Sequence, residues 1–168
     1  EHEEETRRLF AGRGVRILPE PVGRNTAPCI GLGALYARHE GASGPVAFLP
    51  ADQFIAHPAA FLKALRQAAS IAESGAIVTL GIVPTRPETG YGYIQWFEER
   101  PDFWKQKAYR VKAFVEKPSL DKAKRYLVRG DYLWNAGIFV ATPRSILREI
   151  ELHLPQLHEG LTRLKPAL

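Results

Sequence analysis

The sequence predicts an α/β fold in which a mostly parallel, mixed sheet carries helices on both faces. Short apolar segments that suit strands alternate with longer segments whose apolar residues recur at helical spacing. The segment Pro45–Leu49 is apolar throughout, as expected of a strand buried on both faces. The composition, with 45% apolar and 24% charged residues, is typical of a globular domain. Since the sequence shows no internal repeat or linker, we predict one domain over residues 1–168.

The first half of the chain is predicted to contain three helices and three strands. Capping residue types at Asn25 and Thr26 precede the second helix, and Gly75 ends the third. The predicted helices are Glu3–Gly12, Ala27–Ala37 and Pro58–Ser74, and the predicted strands are Val15–Leu18, Pro45–Leu49 and Ala76–Val83.

The second half continues the alternation, with a polar excursion at Glu98–Ala108 between two of its strands. Ser119 is predicted to cap a helix that runs through Arg129, and Gly130 ends it. The predicted strands are Gly92–Phe97, Tyr109–Val115 and Ile138–Ala141; the last two helices start at Thr142-Pro143, towards Leu154, and after Pro155.

Composition excludes several classes of protein. A single Cys rules out an internal disulfide framework and a Cys-based zinc cluster, and it suits a reducing compartment. The longest apolar stretches, such as Val46–Leu49, are far shorter than the ~20 residues of a membrane span, and no leader pattern opens the sequence. We therefore expect a cytoplasmic protein with no membrane partner.

The formal net charge is +5, and the excess of basic residues lies after residue 104. This excess could attract phosphates, or it could be a solvated helix face. No basic run is interleaved with aromatic residues, so we expect no nucleic-acid partner. The sequence has no Met and begins with Glu1-His2-Glu3, which indicates either processing or a piece of a longer chain.

Polar residues that directly follow strands are candidates for a site, because ligands of open α/β sheets bind at the carboxyl ends of strands. Pro50-Ala51-Asp52-Gln53 follows the strand at Pro45–Leu49. A carboxylate there could ligate Mg²⁺, or Asp52 could only cap the turn before Pro58. The segment from Glu20 to Pro28 lies between a strand and a helix, where backbone amides and Arg24 could hold an anion. The alternative is a loop whose Asn25 or Thr26 caps the helix.

Two further clusters contain glycine and polar residues near strand ends. The segment from Pro84 to Tyr93 is rich in rigid and permissive residues, and Gly90 and Gly92 would let backbone approach a ligand closely. The fourth cluster combines Glu116-Lys117-Pro118 with Trp134-Asn135-Ala136-Gly137. Carboxylate and amide groups suit sugar hydroxyls, and an ammonium group suits a phosphate. An ordinary structured turn, a surface ion pair and a buried structural amide are the alternatives.

Five segments, taken in order, resemble mannose-1-phosphate guanylyltransferase, a family of sugar nucleotidyltransferases. They are EPVGRNTAPCIGLGA, LPADQFI, TLGIVPTRPETGYGYI, VKAFVEKP and WNAGIFV. The resemblance covers about residues 2–160. It implies a Rossmann-like nucleotidyltransferase fold, here incomplete at both ends, with these residues as the central part of the catalytic domain.

The resemblance also implies a role for each candidate residue. Asp52 would be a Mg²⁺ ligand beside the nucleotide phosphates, and with Lys117 it would be catalytic. The sugar phosphate would be bound by Lys117, and the sugar by Tyr91, Gly92, Glu116 and Asn135. Arg24, Asn25 and Thr26 would help to form the nucleotide side. The implied reaction is in-line attack of mannose 1-phosphate on the α-phosphorus of GTP, giving GDP-mannose and pyrophosphate; a homodimer of the parent chain is left open.

The sequence departs from the family pattern at four places. It contains no Gly-rich loop of the GGxGxRLxPLS type, and no second metal-binding Asp follows the WN motif. Gln53 stands where the family usually has His, and Ala136 where it usually has Ser. We therefore expect these 168 residues alone to convert GTP and mannose 1-phosphate slowly or not at all. A non-catalytic fragment that binds sugar nucleotides or partner subunits is the alternative function, and fusion to a phosphomannose isomerase domain is left open.

Overall fold

The computed structural model describes residues 3–20, 22–97 and 108–164, and within these it contains five strands and six helices. The strands are β1 (Val46–Phe48), β2 (Val78–Ile82), β3 (Gly92–Trp96), β4 (Val111–Glu116) and β5 (Tyr132–Ala141). The helices are α1 (Glu3–Leu9), α2 (Thr26–His39), α3 (Pro58–Ala72), α4 (Leu120–Arg129), α5 (Pro143–His153) and α6 (Pro155–Leu164). The predicted α/β class is confirmed.

The strand β5 is the centre of the sheet. Val140 is opposed by Ala47 of β1 on one side and by Val78 of β2 on the other. At the opposite end of β5, Trp134 is opposed by Tyr93 of β3, and β3 in turn pairs with β4. β1 and β3 therefore lie along one edge of β5, β2 lies along its other edge, and β4 lies on the far side of β3.

The prediction of a mostly parallel sheet is wrong for the described strands, because every pairing among them is antiparallel. β1 and β2, which flank α3 in the sequence, do run in the same direction, as the β-α-β alternation predicts. They are not neighbours, since β5 lies between them and runs the opposite way.

The helices cover both faces of the sheet, as predicted. Val140 packs with Ala68 and Ala72 of α3, whereas its neighbour Ala141 packs with Leu35 of α2 and Ile146 of α5. Because successive side chains of a strand point to opposite faces, these two clusters lie on opposite sides of the sheet. No helix in the described ranges is long and apolar enough to cross a membrane.

Several helix ends follow the predicted capping chemistry. The Asn25 side chain accepts a hydrogen bond from the Thr26 amide at the start of α2, and Thr142 accepts one from Ser145 at the start of α5. Gly130 ends α4 in the left-handed conformation that favours glycine. Ser119 occupies the cap position of α4, but its side chain makes no capping hydrogen bond.

Three predicted elements differ from the structure. Residues 15–18 form no strand, since they make no ladder with the described strands. The strand predicted at Ile138–Ala141 begins at Tyr132, because Tyr132, Leu133 and Trp134 pair with β3. Helix α1 ends at Leu9 rather than at Gly12. Residues 98–107 of the predicted polar excursion lie outside the described residues.

Beside β5, a buried carboxylate joins β3 to the end of α4. Asp131 accepts a hydrogen bond of 2.7 Å from Gln95 Nε2 and is paired with Arg129 through Nε at 3.0 Å and Nη2 at 2.7 Å. The hydrogen bonds from Arg129 are the main cause that lowers the pKa of Asp131 to about 2, against an ordinary value of 3.8. The ionised carboxylate is therefore the form that the fold stabilises.

We expect Asp131→Asn to lower the free energy of unfolding by about 1 to 2 kcal/mol at pH 6. A lowered pKa adds stability above the unfolded value, and this stability is lost as the pH falls through about 2. The difference between wild type and variant should therefore shrink between about pH 4 and pH 2 in urea unfolding experiments. A difference that does not change with pH would contradict the role of the ion pair.

Candidate functional site

The loop that follows β1 is attached to the central strand. Gln53 Nε2 donates a hydrogen bond of 2.6 Å to the carbonyl oxygen of Ala136, which lies 83 residues away in the sequence. Pro50 also lies against β5, since a Cβ placed on Gly137 would be 3.3 Å from Pro50 Cγ. Asp52, between these two anchors, is exposed and makes no hydrogen bond or ion pair with another described residue. Its carboxylate is therefore open to a ligand.

Asn135 is held by its own strand and by β2. Its Oδ1 accepts a hydrogen bond of 3.1 Å from the Gly137 amide and one of 2.9 Å from the Thr79 hydroxyl. The same hydroxyl lies 3.0 Å from the Ile138 carbonyl oxygen. These contacts fix the side chain through Oδ1, so Nδ2 is the group that can donate to a ligand. Sequence reasoning missed Thr79, whose signal was a lone hydroxyl in an apolar strand.

Gly92 and Glu116 oppose each other where β3 begins and β4 ends. A Cβ on Gly92 would be 2.6 Å from Glu116 Oε2, so only glycine leaves the carboxylate its present position. Lys117 follows with φ of 45°, and its amide donates to the Tyr91 carbonyl oxygen at 3.2 Å. The regular alternation of the strand therefore ends at Glu116, immediately before Lys117.

The segment between β2 and β3 has a defined shape. Glu88 accepts hydrogen bonds from the Gly90 amide at 3.0 Å and from Arg86, and the Tyr93 hydroxyl donates to the Glu88 carbonyl oxygen at 2.9 Å. The Gly90 amide, followed by the Arg86 guanidinium, lowers the pKa of Glu88. These contacts hold the segment from Arg86 to Tyr93 in a defined conformation.

Trp134 connects this segment to Asn135, the next residue of β5. The ring of Tyr91 meets the Trp134 ring edge-on with centroids 5.3 Å apart, and the Arg86 guanidinium lies 5.5 Å from the Trp134 ring centroid. Trp134 is buried, and its Nε1 has no hydrogen-bond partner among the described residues. The Asp52 loop and the segment from Pro84 to Tyr93 thus both contact residues 134–137 of β5, and Glu116 and Lys117 are connected to them through Gly92 and Tyr91.

The cluster that contains Arg24, Asn25 and Thr26 is not brought to this position by any described contact. Arg24, Asn25 and Thr26 are exposed at the start of α2, and Asn25 caps that helix with φ of 71°. Cys29, in the first turn of α2, is exposed. Partial burial of the thiol, and next Glu20, raise its pKa, so little nucleophilic thiolate forms at neutral pH.

Only a metal that accepts few protein ligands fits these residues. The described ranges hold no group of three or more His, Cys, Asp or Glu side chains that could enclose a metal. Mg²⁺ is usually held by one or two carboxylates, with water and substrate phosphates as the other ligands. The exposed Asp52 carboxylate fits that donor set, whereas a structural zinc site would not fit.

A protein-family model described as nucleotidyl transferase matches residues 2–164, and the chain belongs to that family. It is 44% identical over 147 residues to a putative mannose-1-phosphate guanylyltransferase of Vibrio cholerae, covering 88% of this chain and 31% of that protein. It is 43% identical to mannose-1-phosphate guanylyltransferase of Escherichia coli, covering 90% and 32%. The resemblance seen in the motifs is confirmed.

Solved structures agree with the family. A crystal structure from Thermus thermophilus, described as mannose-1-phosphate geranyltransferase, superposes with a TM-score of 0.88 at 40% identity, covering 99% of this chain and 47% of that chain. A structure described as mannose-6-phosphate isomerase from Helicobacter pylori superposes with a TM-score of 0.82 at 29% identity, covering 98% and 61%. The chain spans about a third of the length of the curated relatives and about half of the Thermus chain.

The contact between Thr79 and Asn135 can be tested without a ligand. Thr79→Val keeps the side-chain shape but leaves Asn135 Oδ1 with one donor fewer, so we expect a loss of about 1 to 2 kcal/mol in the free energy of unfolding. Thr79→Ser, which retains the hydroxyl, is the matched control and should lose less. In a double-mutant cycle with Asn135→Ala, measured by urea unfolding, the coupling should be about 1 kcal/mol. Additive effects would contradict a direct interaction.

Proposed function

We propose that the protein containing this chain transfers a guanylyl group from GTP to mannose 1-phosphate, forming GDP-mannose and pyrophosphate. Family membership and the names of the relatives support nucleotidyl transfer to a sugar phosphate. The observation that carries the proposal is that the Asp52 loop and Tyr91 both contact residues 134–137 of β5, while Glu116 and Lys117 lie against Gly92 and Tyr91 at the next strand end.

On the sugar side, we assign hydroxyl recognition to Glu116 and Asn135. A carboxylate accepts hydrogen bonds from hydroxyl groups, and Asn135 Nδ2 donates to a hydroxyl oxygen because Oδ1 is already engaged. The missing side chain of Gly92 lets the Glu116 carboxylate lie against the β3 backbone, next to the exposed Tyr91 ring against which a sugar can pack. Lys117 follows directly, so its ammonium group would meet the phosphate of the sugar.

On the nucleotide side, we assign Asp52 to the Mg²⁺-bound phosphates, and Arg24, Asn25 and Thr26 to the nucleotide. Asp52 would hold the metal through its exposed carboxylate, and the bound ion would supply positive charge that offsets the phosphate oxygens. The Arg24 guanidinium beside the start of α2 is a donor suited to an anion, whereas the Thr26 amide is already engaged by Asn25 Oδ1 and Pro28 carries no N–H.

The reaction that we propose needs no nucleophile from the protein. A phosphate oxygen of mannose 1-phosphate attacks the α-phosphorus of GTP, the new O–P bond forms, and the bond to pyrophosphate breaks in line with it. The protein contributes by holding two polyanions close together against their repulsion. Lys117 would neutralise charge on the attacking phosphate, while Glu116 and Asn135 would orient the sugar that carries it.

We further propose a cytoplasmic location, which the single cysteine supports because it suits a reducing compartment.

Calorimetry with GDP-mannose in the presence and absence of Mg²⁺ tests the proposal. We expect Mg²⁺-dependent binding that is stronger than binding of UDP-glucose. Asp52→Asn should weaken it about tenfold or more and remove the Mg²⁺ dependence, because a charged partner of the ligand is lost. Lys117→Gln should weaken it by a similar factor with the Mg²⁺ dependence retained.

Two variants control for the charge changes. Glu151→Gln on α5 removes an exposed carboxylate, and Lys124→Gln on α4 removes an exposed ammonium group. Both should bind GDP-mannose like wild type. The proposal that these residues form the binding site is wrong if wild type binds neither sugar nucleotide. It is also wrong if the control variants weaken binding as much as the site variants do.

A further inference from the structure

We propose that Gln53 is a positioning residue that sets the Asp52 carboxylate relative to Asn135, and so joins the nucleotide and sugar sides of the site. This inference rests on the proposed function for the roles of Asp52 and Asn135. The link itself rests on the geometry alone, since Gln53 Nε2 donates to the Ala136 carbonyl oxygen at 2.6 Å.

The loop that carries Asp52 has few other restraints. Residues 49–57 form no helix or strand, and no backbone hydrogen bond within the described residues involves positions 50–56. The Phe54 side chain is 92% exposed, so apolar packing does not hold the loop at that position either. Ile55 is half-buried, and the Gln53 side chain and the contact of Pro50 with Gly137 are the attachments that tie this loop to residues 136 and 137 of β5.

The acceptor of the Gln53 hydrogen bond is itself rigidly placed. Ala136 lies between Asn135, whose Oδ1 accepts from Thr79, and Gly137, whose amide donates to the same Oδ1. A movement of Gln53 is thus resisted by the contacts that orient Asn135. Gln53 therefore sets the distance between the Asp52 carboxylate, which we assign to the phosphates, and the Asn135 amide, which we assign to the sugar.

Two substitutions of Gln53 distinguish the effect of its hydrogen bond from the effect of its side-chain packing. Gln53→Leu keeps much of the side-chain size but cannot donate to the Ala136 carbonyl oxygen. Gln53→His restores an N–H donor and serves as the rescue variant. Gln156→Leu, at an exposed position of α6, is the matched control for adding an apolar side chain.

The first measurement is ¹⁵N relaxation of the ligand-free chain. In wild type we expect amide order parameters of ~0.85 for residues 51–55, typical of rigid backbone, and values below ~0.6 in Gln53→Leu. Gln53→His and Gln156→Leu should match wild type. Unchanged order parameters in Gln53→Leu would overturn the proposal, whatever the ligand does.

The second measurement is the Mg²⁺-dependent affinity for GDP-mannose, which we expect Gln53→Leu to weaken about fivefold, as for the loss of one net hydrogen bond. Affinity in the absence of Mg²⁺ should change less, and Gln53→His should recover most of the loss. A mobile loop with wild-type Mg²⁺-dependent affinity would also overturn the positioning role. If wild type binds no GDP-mannose, the proposed function fails, and the relaxation data still decide whether Gln53 positions the loop.

Discussion

The central strand β5 changes its register against β2 next to Gly137, and the arrangement of the candidate site depends on this irregularity. Thr79 opposes Phe139, whereas Gly81 opposes Asn135, so β5 accommodates extra residues between these positions. Gly137 adopts φ of 70°, which glycine reaches at little cost, and a side chain there would press on Pro50. At this interruption the Ala136 carbonyl oxygen accepts a hydrogen bond from Gln53, and the Gly137 amide donates one to Asn135 Oδ1.

This placement suits a reaction between two phosphorylated substrates. Such a reaction is limited by charge repulsion and by orientation, and the protein contributes mainly by fixing donors and charges before the substrates arrive. A loop tied to a central strand is held more firmly than a loop anchored only to its neighbours in sequence. Gln53 and Pro50 provide that attachment for the segment around Asp52, while Lys117 and Tyr91 are linked through a backbone hydrogen bond.

Much of this arrangement was predictable from the sequence, for identifiable reasons. Asn25 precedes α2, Pro58 begins α3 and Gly130 ends α4, and each is a residue type typical of that position. The motifs around Asp52, Glu116 and Asn135 indicated the candidate site. Strand direction was not predictable, because the β-α-β alternation fixes the direction of β1 and β2 but not the insertion of β5 between them. Long-range contacts such as Gln53 with Ala136 leave no local sequence pattern, so they appear only in the structure.

The most direct test of the account is a crystal structure of the chain soaked with GDP-mannose and Mn²⁺, whose anomalous signal locates the metal. The account predicts the sugar within hydrogen-bond distance of Glu116 and of Asn135 Nδ2, with the metal at the Asp52 carboxylate. A ligand bound away from residues 134–137, or a metal held elsewhere, would contradict the claim that β5 organises the site.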